Sequence, residues 1–158
     1  MVDTNLLRSI PFFAELTDDE LSVVAGITAK KHFSTGEAVF NDAEEGHSLY
    51  IIRKGEVKVC KRAPDGELFT LTILKDGEIF GEMSFLDERP HSATMVAVSD
   101  VETYVIQKPD FDGIVNDHPQ VIYKILKNIV FTIHAIVRGM NSRYIEMVNY
   151  MWGRKRGT

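Results

Sequence analysis

Residues 80–94 combine the side chains needed to hold an anion next to a hydroxyl-bearing group. Gly81 allows close backbone approach or dihedral angles that other residues avoid. The amides of residues 83–85 would open a helical turn, and unpaired amides at such an end attract anions. Glu82 can accept hydrogen bonds from hydroxyl groups, and Ser92 can donate one to an oxygen. The segment therefore predicts a cradle for a phosphate with a sugar hydroxyl nearby.

Short runs of strand-forming residues surround this segment from residue 31 to residue 107. They alternate with period two and are separated by turn signals such as Glu45-Gly46, Lys54-Gly55, Asp65-Gly66 and Asp76-Gly77. Many short strands without intervening helices are typical of an antiparallel barrel or jelly roll. The runs cover residues 38–40, 48–52, 56–60, 68–74, 93–98 and 101–106.

Gly81-Glu82-Met83-Ser84, followed by Ser92-Ala93-Thr94, resembles the phosphate-binding cassette of cyclic nucleotide-binding domains. That family includes catabolite-activator-type regulators and the regulatory subunits of cAMP-dependent kinase. The resemblance extends from about Leu6 to the final helix. It implies a mainly β protein, an antiparallel jelly roll (β-roll) with an N-terminal helix and a long C-terminal helix. It also implies cAMP or cGMP as ligand, and no cofactor.

The resemblance implies a role for each matching residue of the cassette. Glu82 would bind the ribose hydroxyl, and Ser92 would contact a phosphate oxygen. Gly81, Met83 and Ser84 would offer backbone groups to the phosphate and the sugar.

The resemblance says less about how the base is held. An apolar wall for the base would be formed by three residues: Val59, Leu71 and Leu74. Polar residues of the long helix often read the base in this family, but the matching positions here are Ile136 and Val137. Neither can hydrogen-bond a base edge, and Thr132 is a weak substitute. The sequence therefore does not identify the nucleotide.

One residue departs from the family pattern. The family places an arginine directly before the Ser-Ala-Thr run, where it grips the cyclic phosphate, and this chain has His91. A charge-assisted hydrogen bond contributes about 1.5–3 kcal/mol, so its loss weakens binding on the order of 10- to 150-fold. Histidine is mostly neutral at pH 7 unless an anion raises its pKa. Binding through His91 is therefore expected to strengthen in mild acid.

Two readings of this region stay open. Pro90 favours an extended Arg89, which would then share a face with His91 and supply the missing charge. Alternatively, Arg89 is a solvated loop residue and His91 a neutral side chain that fills space in a silent pocket.

Apolar residues recur at alternating spacings of three and four from Ile122 to Met151. This is the stripe of a long amphipathic helix, close to a coiled-coil seam. One small barrel cannot cover a helix of that length, so we expect a homodimer through residues 119–151. The alternative is a helix that breaks near Gly139 and folds back on its own barrel.

Composition sets the remaining limits. The chain of 158 residues suits one domain, and a net charge of −5 is unlike that of a general nucleic-acid binder. The single cysteine, Cys60, cannot form an internal disulfide. No secretory leader is visible, and no apolar run approaches the ~20 residues that a membrane helix needs. We therefore expect a cytoplasmic protein without membrane contact.

The predicted organisation has four parts. Residues 1–30 form a helical lead-in, in which Thr17 and Glu20 predict a capping box, and residues 31–107 form the jelly roll. Residues 108–151 form the C-terminal helices, with Pro119 favourably placed at a first helical position, and residues 152–158 are a basic tail expected to be disordered. Transcription factors of the family carry a helix-turn-helix after the long helix, and this sequence stops there. A stand-alone domain that does not bind DNA is therefore expected.

The alternative from a different functional class is an enzyme, because barrels of this kind also house metal-dependent active sites. The histidines His32, His47, His91, His118 and His134 lack the paired spacing of a metal site, and no nucleophile motif is visible. We therefore predict no catalytic residue and no metal. The favoured function is a cyclic nucleotide-binding regulatory domain that relays ligand binding to the C-terminal helix. The alternative is a non-catalytic dimeric interaction module with a degenerate pocket.

Overall fold

The computed structural model describes residues 2–156, which form two compact units divided between Lys124 and Ile125. The first unit contains all the strands and the shorter helices. The second unit is the continuation of the last helix.

The chain begins with short helices: α1 (Thr4–Arg8), a 3-10 turn (Pro11–Phe13) and α2 (Asp18–Gly26). The Thr17 hydroxyl accepts from the Glu20 amide at 3.3 Å, and the Glu20 carboxylate accepts from the Thr17 amide at 2.9 Å. The capping box predicted at the start of α2 is therefore confirmed. The lead-in is shorter than predicted, because pairing with the last strand draws the chain into the sheet at Thr28 rather than at residue 31.

Eight strands follow, and they form two antiparallel four-stranded sheets in the orders β1-β8-β3-β6 and β2-β7-β4-β5. The predicted jelly roll is thereby confirmed. The strands are β1 (Thr28–Phe33), β2 (Ala38–Phe40), β3 (Ser48–Lys54), β4 (Val57–Arg62), β5 (Leu68–Leu74), β6 (Ile79–Phe80), β7 (Thr94–Ala97) and β8 (Val101–Gln107).

The core of the roll lies between the two sheets and includes the aromatic rings of Phe33, Phe40, Tyr50 and Phe80. The rings of Tyr50 and Phe80 stack with centroids 4.8 Å apart. This stack matters for the site, because β6 has only two residues and pairs with β3 at Tyr50↔Phe80. Burial of Phe80 therefore fixes where the chain enters the predicted cassette.

Two helices follow the roll: α4 (Lys108–Gly113) and α5 (Pro119–Arg156). Helix α5 begins at Pro119, as the sequence predicts. Its 38 residues correspond to a length of about 57 Å. The alternative of a break near Gly139 is wrong, because the helix is continuous there.

Residues 152–156, which the sequence analysis assigns to the basic tail, continue α5. Gly157 and Thr158 lie outside the described residues.

Helix α5 also corrects the prediction about membrane-length segments. Within the described residues, the stretch Pro119–Gly153 is long and apolar enough to cross a membrane, judged by length and composition alone. The sequence reading missed it because the apolar residues are interrupted by single polar ones. Helices of soluble proteins pass the same test, so this finding does not by itself assign a membrane span.

Candidate functional site

The cassette backbone turns sharply at Gly81. This residue has φ +77°, and helix α3 (Glu82–Asp87) follows it directly. A Cβ at Gly81 would lie 2.8 Å from the Ser48 carbonyl oxygen, so both conformation and space call for glycine. The first intrahelical bond runs from the Phe85 amide to the Gly81 carbonyl at 3.1 Å. The Phe85 amide, predicted to be open, is therefore paired within the helix. The Glu82 amide donates to its own carboxylate, and the amides of Met83 and Ser84 are the donors of this helix start that have no intrahelical partner.

A small cleft of about 70 Å³ opens beside this turn. It unites six of the predicted ligand-binding residues: Gly81, Glu82, Met83, Ser84, His91 and Ser92. Phe40, Ala93 and Met95 complete its lining. The structure thus brings the two halves of the predicted cassette, residues 81–84 and 91–92, to one place.

The imidazole of His91 is the central side chain of the cleft. It is only 7% exposed and stacks on the Phe40 ring, with centroids 3.5 Å apart and planes 8° from parallel. Its Nδ1 lies 3.1 Å from the Ser84 hydroxyl, at hydrogen-bond distance. His91 therefore joins strand β2, which carries Phe40, to helix α3, which carries Ser84.

The loop of residues 41–47 holds the backbone of His91. The Ala43 amide donates to the His91 carbonyl, and the His91 amide donates to the Glu44 carbonyl, both at 2.9 Å. Gly46 packs so closely on the imidazole that a Cβ at this position would overlap Nε2. Ala43 adopts the left-handed conformation, with φ +68°, which is uncommon for a residue other than glycine. The loop and the His91 side chain therefore depend on each other for their positions.

The electrostatics of the cleft favour uncharged groups. Burial lowers the pKa of His91 from its ordinary value; the Glu44 carboxylate opposes this shift and His47 adds to it. Burial raises the pKa of Glu82, opposed by a hydrogen bond from its own amide. The nine lining residues, all within the described chain, include no lysine or arginine. A phosphate bound in the cleft would therefore contact a neutral imidazole, unless its negative charge raised the pKa of His91 enough to protonate the ring.

The other predicted ligand-binding residues do not line this cleft. Arg89 is exposed, and its amide donates to the Asp87 carboxylate at 3.0 Å. Leu71 is 51% exposed on β5, while Val59 and Leu74 are partly buried against the core. Thr132 belongs to the second unit, where its hydroxyl donates to the Asn128 carbonyl at 2.9 Å. Their roles in binding stay predictions.

Sequence reasoning missed Phe40 and Gly46 as parts of the site. Both lie far from the cassette in the chain, and Gly46 was read only as a turn signal. The motif of residues 81–94 contains nothing that points to them. The glycine directly before His47 was the available hint, since a glycine in a loop can mark close packing as well as a turn.

The cassette also contacts the first helix after the roll. The Phe85 ring of α3 meets the Phe111 ring of α4 edge-on, with centroids 5.1 Å apart. The Lys108 ammonium lies 3.7 Å from Glu88 and 3.5 Å from Asp112. A movement of α3 would therefore reach α4 through a buried ring contact and a partly exposed ion pair.

The family model for the cyclic nucleotide-binding domain matches residues 30–118, more than half of the chain. The chain belongs to the cyclic nucleotide-binding domain family. The match spans the roll, the cassette and α4. It confirms the resemblance seen in the sequence and places the chain among regulatory domains of this class.

Relatives and solved structures agree with this assignment. The chain is 29% identical over 119 residues to the cyclic AMP receptor protein of Thermus thermophilus, covering 75% of this chain and 55% of that one. The chain thus spans about half the length of the first curated relatives it matches. The crystal structure of T. thermophilus catabolite activator protein is 26% identical, with a TM-score of 0.74, covering 87% of this chain and 63% of that one.

A regulatory subunit of a cAMP-independent protein kinase A from Trypanosoma brucei is also similar. It is 28% identical with a TM-score of 0.66, and the match covers 79% of this chain and 44% of that one. Relatives of this fold therefore include proteins named for cAMP and one named as independent of it.

We predict that Gly46→Ala destabilises the protein by about 1–3 kcal/mol, the usual cost of overpacking a filled site. The added methyl would overlap the imidazole of His91, which cannot retreat because it stacks on Phe40. The cost should shrink when the histidine is truncated, so Gly46→Ala in a His91→Ala background should be nearly neutral. Urea denaturation of the four proteins of this double-mutant cycle measures the coupling.

Gly26→Ala is the matched control, because a methyl at Gly26 would meet no atom within 4 Å. Equal costs of Gly46→Ala with and without the His91 ring would contradict the packing described here.

Proposed function

We propose that this chain binds cAMP or cGMP in the cleft of residues 81–84 and 91–92 and acts as a regulatory domain. The observation that carries the proposal is the convergence of Glu82, Ser92 and the α3 backbone on one cleft. Glu82 would accept from the ribose hydroxyl, and Ser92 would donate to the phosphate. On this proposal the domain is non-catalytic and cytoplasmic, needs no cofactor, and does not itself bind DNA or a membrane.

We also propose that His91 makes this binding weak. An arginine would offer a permanent charge and two parallel hydrogen bonds to the phosphate. The buried imidazole offers neither while it is neutral, and its Nδ1 is already engaged with Ser84. Binding would therefore require the ring either to take up a proton or to leave its stacked position on Phe40.

The alternative function is a dimeric interaction module that binds nucleotide poorly or not at all. The packing of His91 favours it, because the ring is satisfied without a ligand and fills part of the cleft. The similarity to a regulatory subunit named as cAMP-independent is compatible with such a module.

Ligand binding would reach the C-terminal helices through α3. A ligand contacting residues 82–84 would shift α3 and hence the Phe85–Phe111 and Glu88–Lys108 contacts. The ligand would bias an equilibrium between two positions of α4 through its extra contacts in one of them. The helix that follows α4 would carry the output.

We propose homodimerisation through residues 119–151. Five residues of α5 at coiled-coil spacing are each 44–64% exposed: Val137, Met140, Tyr144, Met147 and Met151. Such a row of apolar side chains is covered most simply by the same row of a second copy. Arg138, Ser142 and Glu146 lie on the opposite side of the helix, which favours a pairing seam over a span of lipid.

We predict that His91→Arg binds cAMP on the order of 10- to 150-fold more tightly than the unmodified protein. The change restores one charge-assisted hydrogen bond of about 1.5–3 kcal/mol to the phosphate. Isothermal titration calorimetry with cAMP, cGMP and cyclic dinucleotides measures it. His118→Arg, the same substitution at an exposed position on the N-terminal side of α5, should leave affinity unchanged.

Two results would argue against nucleotide binding. One is the absence of heat and of thermal shift at millimolar ligand for both the unmodified protein and His91→Arg. The other is an equal gain from His118→Arg, which would indicate a general effect of charge.

We predict that cAMP affinity rises as the pH falls from 7.5 to 5.5. Burial places the pKa of free His91 below its ordinary value of about 6.5, and a bound phosphate raises it. The complex then holds more protons than the free protein, so acid favours binding. Titrations in buffers of different ionisation enthalpy should show proton uptake. The pH dependence should vanish in His91→Arg. Equal affinity of the unmodified protein for cAMP at both pH values would contradict the role of His91 protonation in binding.

We predict that Met140→Asp shifts the protein from dimer to monomer, because it places a charge in the middle of the apolar seam. Light scattering coupled to size-exclusion chromatography reports the mass. Ser142→Asp introduces the same charge on the opposite side of the helix and should leave the dimer intact. A monomeric unmodified protein at high micromolar concentration would overturn the proposed dimer.

A further inference from the structure

A second cleft, of about 240 Å³, lies on the first sheet and shares no lining residue with the cassette cleft. Its lining is rich in basic side chains: Lys30, Lys31, His32 and Arg53, together with Glu102 and Tyr104. The function proposed above makes no use of these residues.

Strand register explains why these side chains converge. Lys30 of β1 pairs with Tyr104 of β8, and His32 pairs with Glu102. Because side chains alternate along a strand, Tyr104 and Glu102 lie on the face of β8 opposite Val105, which packs in the core between the sheets. Lys30 and His32 stand beside them on that same face.

Tyr104 supplies an unusual donor. Its side chain is fully buried, and its hydroxyl is the buried side-chain oxygen, among the described residues, without a hydrogen-bond partner. Burial raises the pKa of Tyr104, and the charges of Arg53, Glu102 and Asp3 also act on it. The hydroxyl therefore stays protonated and lies among the charged groups of the cleft, where it can donate to an incoming acceptor.

The charge of this cleft differs from its surroundings. Residues 1–118 contain 11 basic and 22 acidic residues, yet the cleft gathers three permanent cations and one carboxylate. Arg53 pairs with Glu102. Among the side chains that the structure describes, those of residues 2–153, Lys30 and Lys31 form no ion pair, although Lys31 lies 5.3 Å above the Phe33 ring. Lys30 and Lys31 therefore give the cleft positive charge that no ion pair neutralises among the described side chains.

We propose that this cleft binds a small phosphate-bearing anion, held by Lys30 and Arg53 and by a hydrogen bond from the Tyr104 hydroxyl. A phosphate group has several acceptor oxygens, enough to meet all three donors at once. Arginine can keep Glu102 on one edge of its guanidinium and present the other edge to the anion. A monovalent anion such as chloride has neither the charge nor the acceptors to do this.

Inorganic pyrophosphate is the probe, added to the full chain in chloride buffer of constant ionic strength. Amide NMR spectra should show saturable shifts along β1 and β8. Tyr104→Phe should weaken binding at least 10-fold, as should Lys30→Gln. Tyr104→Phe removes only an unpaired hydroxyl, so the fold should persist. Lys61→Gln, on β4 of the other sheet, makes the same charge change as Lys30→Gln and should have no effect.

Absence of saturable shifts on β1 and β8 at 20 mM pyrophosphate would overturn the proposal. Equal weakening by Lys61→Gln would do the same, since it would reduce the effect to general charge. If Tyr104→Phe bound pyrophosphate as tightly as the unmodified protein, the hydroxyl would not belong to the site and the proposal would be wrong. The result is independent of cAMP binding, because none of these residues lines the cassette cleft.

Discussion

The packing of the His91 imidazole is the interaction on which the candidate site depends. The ring stacks on Phe40, lies at hydrogen-bond distance from Ser84, and leaves room at Gly46 only for a hydrogen. Three separate segments are thereby held together at the mouth of a small cleft. An arginine in this place would need a ligand to satisfy its charge, whereas a neutral imidazole is satisfied in its absence. On the function proposed above, this packing would lower the affinity of the cleft for a nucleotide.

The roll explains why this cleft exists where it does. Strand β6 is only two residues long, yet the stack of Phe80 on Tyr50 anchors it, and the chain must then turn at once through Gly81. Helix α3 follows, the amides of its Met83 and Ser84 have no intrahelical partner, and its Phe85 contacts Phe111 of α4. The same short segment thus faces the cleft on one side and contacts α4 on the other. On the function proposed above, this contact would transmit ligand binding to α4.

Much of this could be predicted from the sequence, for reasons that lie in particular residues. Period-two runs, the Thr17–Glu20 capping box and Pro119 each act locally, so strands, helix α2 and the start of α5 were found. The cassette was found because its residues are adjacent in the chain. The contacts of His91 with Phe40 and Gly46 could not be predicted, since they join segments about 45–50 residues apart. The sequence favoured a continuous helix through Gly139 but left a break there open, because one glycine costs only about 1 kcal/mol in a helix.

The most direct test of the account follows the backbone amides of Met83, Ser84 and Ser92 and the imidazole protons of His91 by NMR as cAMP is added. A ligand seated in the cleft should shift all of them saturably, with 5′-AMP, which lacks the cyclised phosphate, much less effective. Signals at these four residues that stay unmoved while cAMP perturbs other parts of the chain, or nothing at all, would contradict the assignment of the cleft.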